Sequence, residues 1–239
     1  MSYEERGGRR HPETPGDLGR TKEPAKAKTP HADVNRITIQ VMQRIRQEID
    51  TSELLREVVN LLTDWTGFEA VGMRLKDGDD YPYFQTRGMS EEFVRLENSL
   101  CPRKHDGPEH TGNDKISLDC ACGRVLQGRL DRSYPFVDEY GSFWTNSNTQ
   151  LLRERPELLE SIRGVCVQSG YETSALIPIR HAGDTYGLLQ FEDRRPGMLT
   201  KELLSCLESI AVTLALVLSQ RRYAEVLQRE KEVLEERTS

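Results

Sequence analysis

The sequence predicts an α+β domain, and three observations carry the prediction. Two amphipathic helical segments open the patterned part of the chain, two β-rich runs meet around a Gly-Asp turn, and a long helical pattern closes it.

Helical spacing appears first at Ile37, Val41, Ile45 and Ile49, with Arg and Gln on the other faces. A second helix starts at the caps Asp50, Thr51 or Ser52, carries Leu54, Leu55, Val58, Val59, Leu61 and Leu62, and stops at Gly67. Phe68 to Leu75 reads as a strand, Lys76 to Asp80 as a turn, and Tyr81 to Thr86 as the partner strand. Ser90-Glu-Glu-Phe93 opens a short helix with acid in its first turn. Gly170 to Ile179 and Tyr186 to Phe191 form the arms of a hairpin around His181-Ala-Gly-Asp184. From Leu199-Thr200 a long helix shows apolar residues at Leu203, Leu207, Ile210, Leu214 and Val217. It continues through Ala224, Leu227 and Leu234 with charges of both signs between them, a short coiled-coil pattern.

With 239 residues, one core of ~150 residues plus flanking elements is expected. Residues 1–31 carry too few large apolar side chains to offset ordering and are expected to be a disordered arm. Residues 32–50 form the first amphipathic helix, 51–220 the domain, and 221–239 a coiled-coil tail. The net charge of −6 and pI near 5.5 argue against a nucleic-acid partner, which needs a clustered basic face. No apolar signal core precedes Pro30 and no apolar run approaches the ~20 residues of a membrane span, so a cytoplasmic chain with no membrane partner is expected.

Between Leu100 and Val165 the periodicity fades into Gly, Asp, Ser and Asn with isolated aromatics. Long patternless segments inside a domain are functional or disordered, and the residues here favour function. Cys101, Cys120 and Cys122 fall in this stretch and Cys166 directly follows it, so four of the five cysteines cluster here, whereas Cys206 sits among Leu203, Leu204 and Leu207 as a small hydrophobe. Converging thiolates suit zinc or an iron–sulfur centre, which makes the four a candidate metal site, with His105 or His110 as substitutes. Thiols near Arg124, Arg129 and Arg163 also suit a redox switch of lowered pKa. A bond between distant partners such as Cys122 and Cys166 is preferred there over a strained Cys120–Cys122 ring. A third reading has buried thiols packing the roof around an organic ligand.

The aromatics Tyr81, Tyr83, Phe143, Trp144 and Tyr171, with Ser142, Asn146 and Glu172 as polar anchors, form a candidate small-ligand pocket. Asp77, Asp79 and Asp80 lack calcium-loop spacing and read as a hairpin turn. No Ser-His-Asp order, phosphate-cradling Gly loop or paired-His motif is visible.

This order of elements resembles a GAF domain from about Thr51 to Gln220. The residues that carry the resemblance are Thr66-Gly-Phe-Glu-Ala-Val-Gly-Met-Arg74, Ala175-Leu-Ile-Pro-Ile179, Tyr186-Gly-Leu-Leu-Gln-Phe-Glu-Asp193 and the closing helix. More narrowly, four stretches are similar to the Cys-rich GAF modules found with PAS domains and histidine kinases in bacterial and archaeal signalling proteins. These are Asp80-Tyr-Pro-Tyr83, Asp119-Cys-Ala-Cys-Gly123, Gly141-Ser-Phe-Trp-Thr-Asn146 and Gly170-Tyr-Glu172. The resemblance implies an antiparallel sheet with helices on one face, a ligand pocket on the other roofed by the variable middle, and dimerisation through the terminal helices. It makes a non-enzymatic sensory module the expected function. With no output module before Ser239, the signal is expected to pass through a homodimer to a separate protein such as a histidine kinase or response regulator. The enzyme alternative is a GAF-fold family that reduces free methionine sulfoxide with cysteines: Cys122-Gly123 and a later Cys before the hairpin are similar in outline. The Phe-Trp-Thr-Asn run and the coiled tail depart from that family. A scaffold acting through its helices alone is the remaining alternative.

Overall fold

The computed structural model describes residues 30–45, 50–100, 120–161 and 164–238. The expected arm falls outside these residues except for its last two positions, as do Ile49, Cys101, His105, His110 and Arg163. Two helices come first, α1 (Pro30–Ile45) and α2 (Thr51–Thr66). The Asp50 carboxylate caps α2 by accepting from the amides of Ser52 and Glu53. Gly67 ends it at φ 68°, a left-handed conformation that costs glycine little.

Strands β1 (Ala70–Leu75) and β2 (Tyr83–Arg87) pair antiparallel, and α3 (Glu91–Glu97) follows with Ser90 as its cap. The aspartate run between β1 and β2 is a turn, closed by paired backbone bonds between Asp77 and Asp80. The middle of the chain, patternless in sequence, is built of short pieces. They are α4 (Ala121–Gln127), β3 (Phe143–Thr145), α5 (Asn148–Glu154), a 3-10 turn over Pro156–Ser161, and α6 (Val165–Gln168). Each has seven residues or fewer, too few to print a helical or strand period on the sequence. The hairpin β4 (Thr173–His181) and β5 (Asp184–Asp193) and the helix α7 (Lys201–Thr238) complete the chain.

The five strands form one antiparallel sheet in the order β2-β1-β5-β4-β3. Because side chains alternate along a strand, the sheet has two distinct faces. Val71, Met73, Ala175, Ile177, Ile179, Leu189 and Phe191 pack against α1, α2 and α7, where Leu55, Leu62, Leu207, Ile210 and Leu214 are buried. Each such leucine contributes ~1.5–3 kcal/mol on burial, so this layer holds the domain together. Cys206 lies in it, as its apolar context requires. The opposite face carries Arg74, Ser174, Leu176, Leu188, Gln190 and Glu192, and a smaller core around Val125, Leu126 and Phe136 covers part of it.

α7 runs against β4 and β5 and then leaves the body, its side chains exposed from Arg222 to Glu236. It contains an apolar window of mean hydropathy 1.8, long enough for a membrane span, but half of that window is buried in the domain.

Candidate functional site

The short central elements form a roof over the polar face of the sheet and enclose a cavity of about 80 Å³. That volume is well above the ~10–15 Å³ one water needs. Phe143, Ser174, Leu176 and Glu192 make the floor, while α4, α5 and α6 bring Cys120, Cys122, Asn148, Leu151 and Cys166 to the walls. Glu97 from α3 and Arg124 from α4 also line it.

The floor is polarised toward one carboxylate. Tyr83 donates its hydroxyl to Gln190 Oε1 at 2.7 Å, and Gln190 Nε2 donates to Glu192 Oε1 at 2.8 Å. Ser174 Oγ donates to the other Glu192 oxygen at 2.5 Å, and Asn148 Nδ2 donates to Ser174 Oγ at 2.7 Å and to the Tyr171 carbonyl at 3.0 Å. Gln190 Nε2 also reaches Cys166 Sγ at 4.0 Å, which sets this thiol beside the Glu192 carboxylate. Burial pushes the Glu192 carboxyl up to about 7, and these donors oppose that shift.

Arg74, fully buried beside this network, is used structurally. Its guanidinium donates to the carbonyls of Tyr81, Glu97 and Asn98 at 2.6–3.1 Å and stacks on the Tyr83 ring at 3.6 Å. It thereby satisfies carbonyls at the end of α3 that the helix itself leaves open.

The cysteines converge in part. Cys120 caps α4 by accepting from the Gly123 amide at 3.5 Å. Its contact with Cys122, together with burial, pushes the Cys122 thiol well above the usual range, and burial beside Glu192 does the same to Cys166. Arginine-lowered thiols are therefore not what the structure holds: the nearby Arg74 guanidinium opposes the rise in both, but burial and the thiol and acidic neighbours outweigh it, and their protonated forms are favoured. Cys120, Cys122, Cys166 and Cys206 form no disulfide. Cys101 lies outside the described residues, and among the described residues no three His, Cys, Asp or Glu side chains are grouped to hold a metal ion. Three cysteines reach one cavity without forming a coordination shell, so the described donor set does not fit a metal centre.

Of the aromatic and polar set expected to line a pocket, only Phe143 reaches the cavity. Alternation along β3 sends the next residue, Trp144, to the helix-covered face, against the main core. Tyr81 belongs to the smaller core, Tyr83 supports Gln190, and Tyr171 packs edge-on to Phe93 under the Arg194 guanidinium. Ser142 donates to Glu208 of α7 at 2.7 Å. Asn146 holds the start of α7 through two bonds of 2.9 Å with the Leu199 backbone. Glu172 accepts from Ser147 and Thr149 at the start of α5. These side chains brace the roof and the strand ends.

The residues that sequence reasoning missed are Asn148, Ser174, Gln190 and Glu192. A signal was present for the last two: in an apolar strand, Gln190 and Glu192 alternate with Leu189 and Phe191, placing two polar groups on one face.

No family model matches the sequence, and no curated protein matches it. Solved structures do. The GAF domain from a phosphoenolpyruvate-protein phosphotransferase of Coxiella burnetii superposes with a TM-score of 0.55 at 16% identity, covering 82% of this chain and 98% of that one. A free methionine-R-sulfoxide reductase from Neisseria meningitidis, in complex with its substrate, gives 0.56 at 14%, covering 83% and 96%. A domain assigned to a two-component sensor histidine kinase of Sinorhizobium meliloti 1021 gives 0.50 at 14%, covering 76% and 99%.

Proposed function

We propose that this chain, which has the GAF fold, is a sensory module that holds a small ligand in the roofed cavity and passes its occupancy to α7. One observation carries this reading: the cavity floor is the back of the surface that α7 grips. Ser174 and Glu192 face the cavity, while their strand neighbours Ala175 and Phe191 pack in the core that contains α7. A ligand that draws the roof onto Ser174 and Glu192 bears on the same two strands. It signals only if it favours one arrangement of that layer over another.

The output side has an apolar face. Leu216, Tyr223, Val226, Leu227 and Leu234 are exposed along α7, and α1 beside it exposes Ile39 and Met42. We read this as the face of a homodimer that hands the signal to a separate protein such as a histidine kinase or response regulator. A thermal-shift screen of small polar metabolites tests the module, run on the wild type beside Ala121→Phe, which fills the cavity. Compounds that stabilise only the wild type support the reading; compounds that stabilise neither protein, or both equally, contradict it.

A second reading is favoured by the Cys166–Glu192 contact, a thiol beside a carboxylate inside a ligand-sized cavity. That pair suits a thiol enzyme acting on a small sulfoxide, in line with the fold shared with the reductase. Thiol-dependent turnover of free methionine sulfoxide, abolished by Cys166→Ser or Cys122→Ser, would establish it.

A further inference from the structure

We propose that the cavity takes a small organic cation, its ammonium head held by Glu192 and a short apolar body lying against Phe136, Phe143 and Leu151. The inference rests on the cavity being the ligand site, and adds the ligand's charge class.

Glu192 is 1% exposed, and the groups that donate to it, Ser174 and Gln190, are neutral, as is the neighbouring Cys166 thiol. Among the described residues no Lys, Arg or His forms an ion pair with it. The cations near this end of the sheet are engaged elsewhere: Arg74 by three carbonyls and Tyr83, Arg194 by Glu69, Arg195 by Asp193. The titratable groups that interact with Glu192 are Cys166 on α6, Glu97 on α3, Tyr83 on β2 and Tyr171 ahead of β4, none of which brings positive charge. Among the described residues that line the cavity, Arg124 on α4 is the cation, and it makes no ion pair with Glu192.

Among the described residues Glu192 is thus a buried carboxylate without a counter-charge, which is unfavourable, and its high proton affinity expresses that. A ligand ammonium supplies the missing charge. It also supplies a strong donor: a carboxylate offers about four lone-pair sites, and Ser174 and Gln190 take two of them. An anion would meet two acidic side chains, and a purely apolar ligand would leave Glu192 as it is. The cavity of about 80 Å³ limits the ligand to a few heavy atoms, and its remaining walls are largely leucine, valine and phenylalanine.

Titration calorimetry of the reduced protein with isobutylamine, isobutanol and isobutyrate, at pH 6 and pH 8, tests this. The amine should bind at least tenfold more tightly than either isostere. Because a cation needs the ionised carboxylate, and one proton leaves Glu192 at about 7, its affinity should be about tenfold higher at pH 8 than at pH 6. Glu192→Gln should weaken it at least tenfold, and Ala121→Phe should abolish it. If Glu192→Gln fails to fold, the amine–alcohol contrast in the wild type decides. Isobutyrate or isobutanol binding as tightly as the amine, and lost in Ala121→Phe, would overturn the cation assignment while leaving the cavity a ligand site. No heat from any of the three probes, with metabolites from the screen still stabilising the wild type alone, would overturn it in the same way. Silence in both experiments would remove the site as well.

Discussion

Ser174 and Glu192 stand opposite each other on β4 and β5, and the serine hydroxyl donates to the carboxylate at 2.5 Å. The bond ties the two long strands through side chains at a point where the ladder already ties them through backbone. It also holds a charge acceptor at the floor of the cavity, where hydrogen bonds to charged groups are the strong ones.

Replacing Ser174 with Ala removes one donor from that carboxylate, while Asn148 keeps its bond to the Tyr171 carbonyl. A hydrogen bond to a charged group contributes about 1.5–3 kcal/mol. Urea unfolding should show a loss of that order at pH 8, where Glu192 is ionised, and a smaller one at pH 5, where it is protonated.

Glu192 itself sets a pH dependence. Its carboxyl sits at about 7 in the folded chain against an ordinary 4.5, so the native state binds this proton more tightly than the unfolded state. Its contribution to stability is fully present below 4.5, declines as pH rises, and levels off above 7. The total decline is on the order of 3 kcal/mol. Glu208, pushed up to about 8 by burial and Asp138, adds slope of the same sign from 4.5 to 8, across the whole of that window, so the informative quantity is the difference between variants. Glu192→Gln should be flatter than wild type between pH 4.5 and 7; equal slopes would contradict the burial argument.

The scaffold was legible because its elements are long. Val41, Leu55, Leu62, Leu207 and Leu214 repeat over several turns, and the β4–β5 hairpin announces itself by its turn. The roof was not legible, since β3 has three residues and α6 four, and such pieces take their form from what they pack on. Three of the four candidate cysteines reach the cavity. The aromatics misled, because a buried Tyr or Trp needs a polar partner whether it touches a ligand or only its neighbours. Tyr83 found Gln190, and Trp144 went to the other face of the sheet.

Close approach of β5 to β1 depends on Gly187. A Cβ there would lie 2.1 Å from the Arg74 carbonyl oxygen, a backbone atom that cannot turn aside. Gly187→Ala should cost about 3 kcal/mol or more, read as a fall in melting temperature, or prevent folding. Gly78→Ala is the control: its φ of 56° is unfavourable, but open space surrounds it, so about 1–2 kcal/mol is expected.

The exposed stripe on α7 makes the oligomeric state a prediction. Light scattering should find a dimer, and Tyr223→Glu combined with Leu227→Glu should yield a monomer with unchanged circular dichroism. A wild type that is monomeric at micromolar concentration would remove the helical dimer from the account.

The measurement that bears most directly on the central claim is amide hydrogen exchange with and without a compound that stabilises the wild type but not Ala121→Phe. The account predicts altered protection on α4 and α6, which touch the ligand, and also along Leu204 to Val217 of α7, which does not line the cavity. Both changes should vanish in Ala121→Phe. Protection confined to the roof, with α7 exchanging as before, would show a ligand-binding domain that does not report to its output helix, and would contradict the account.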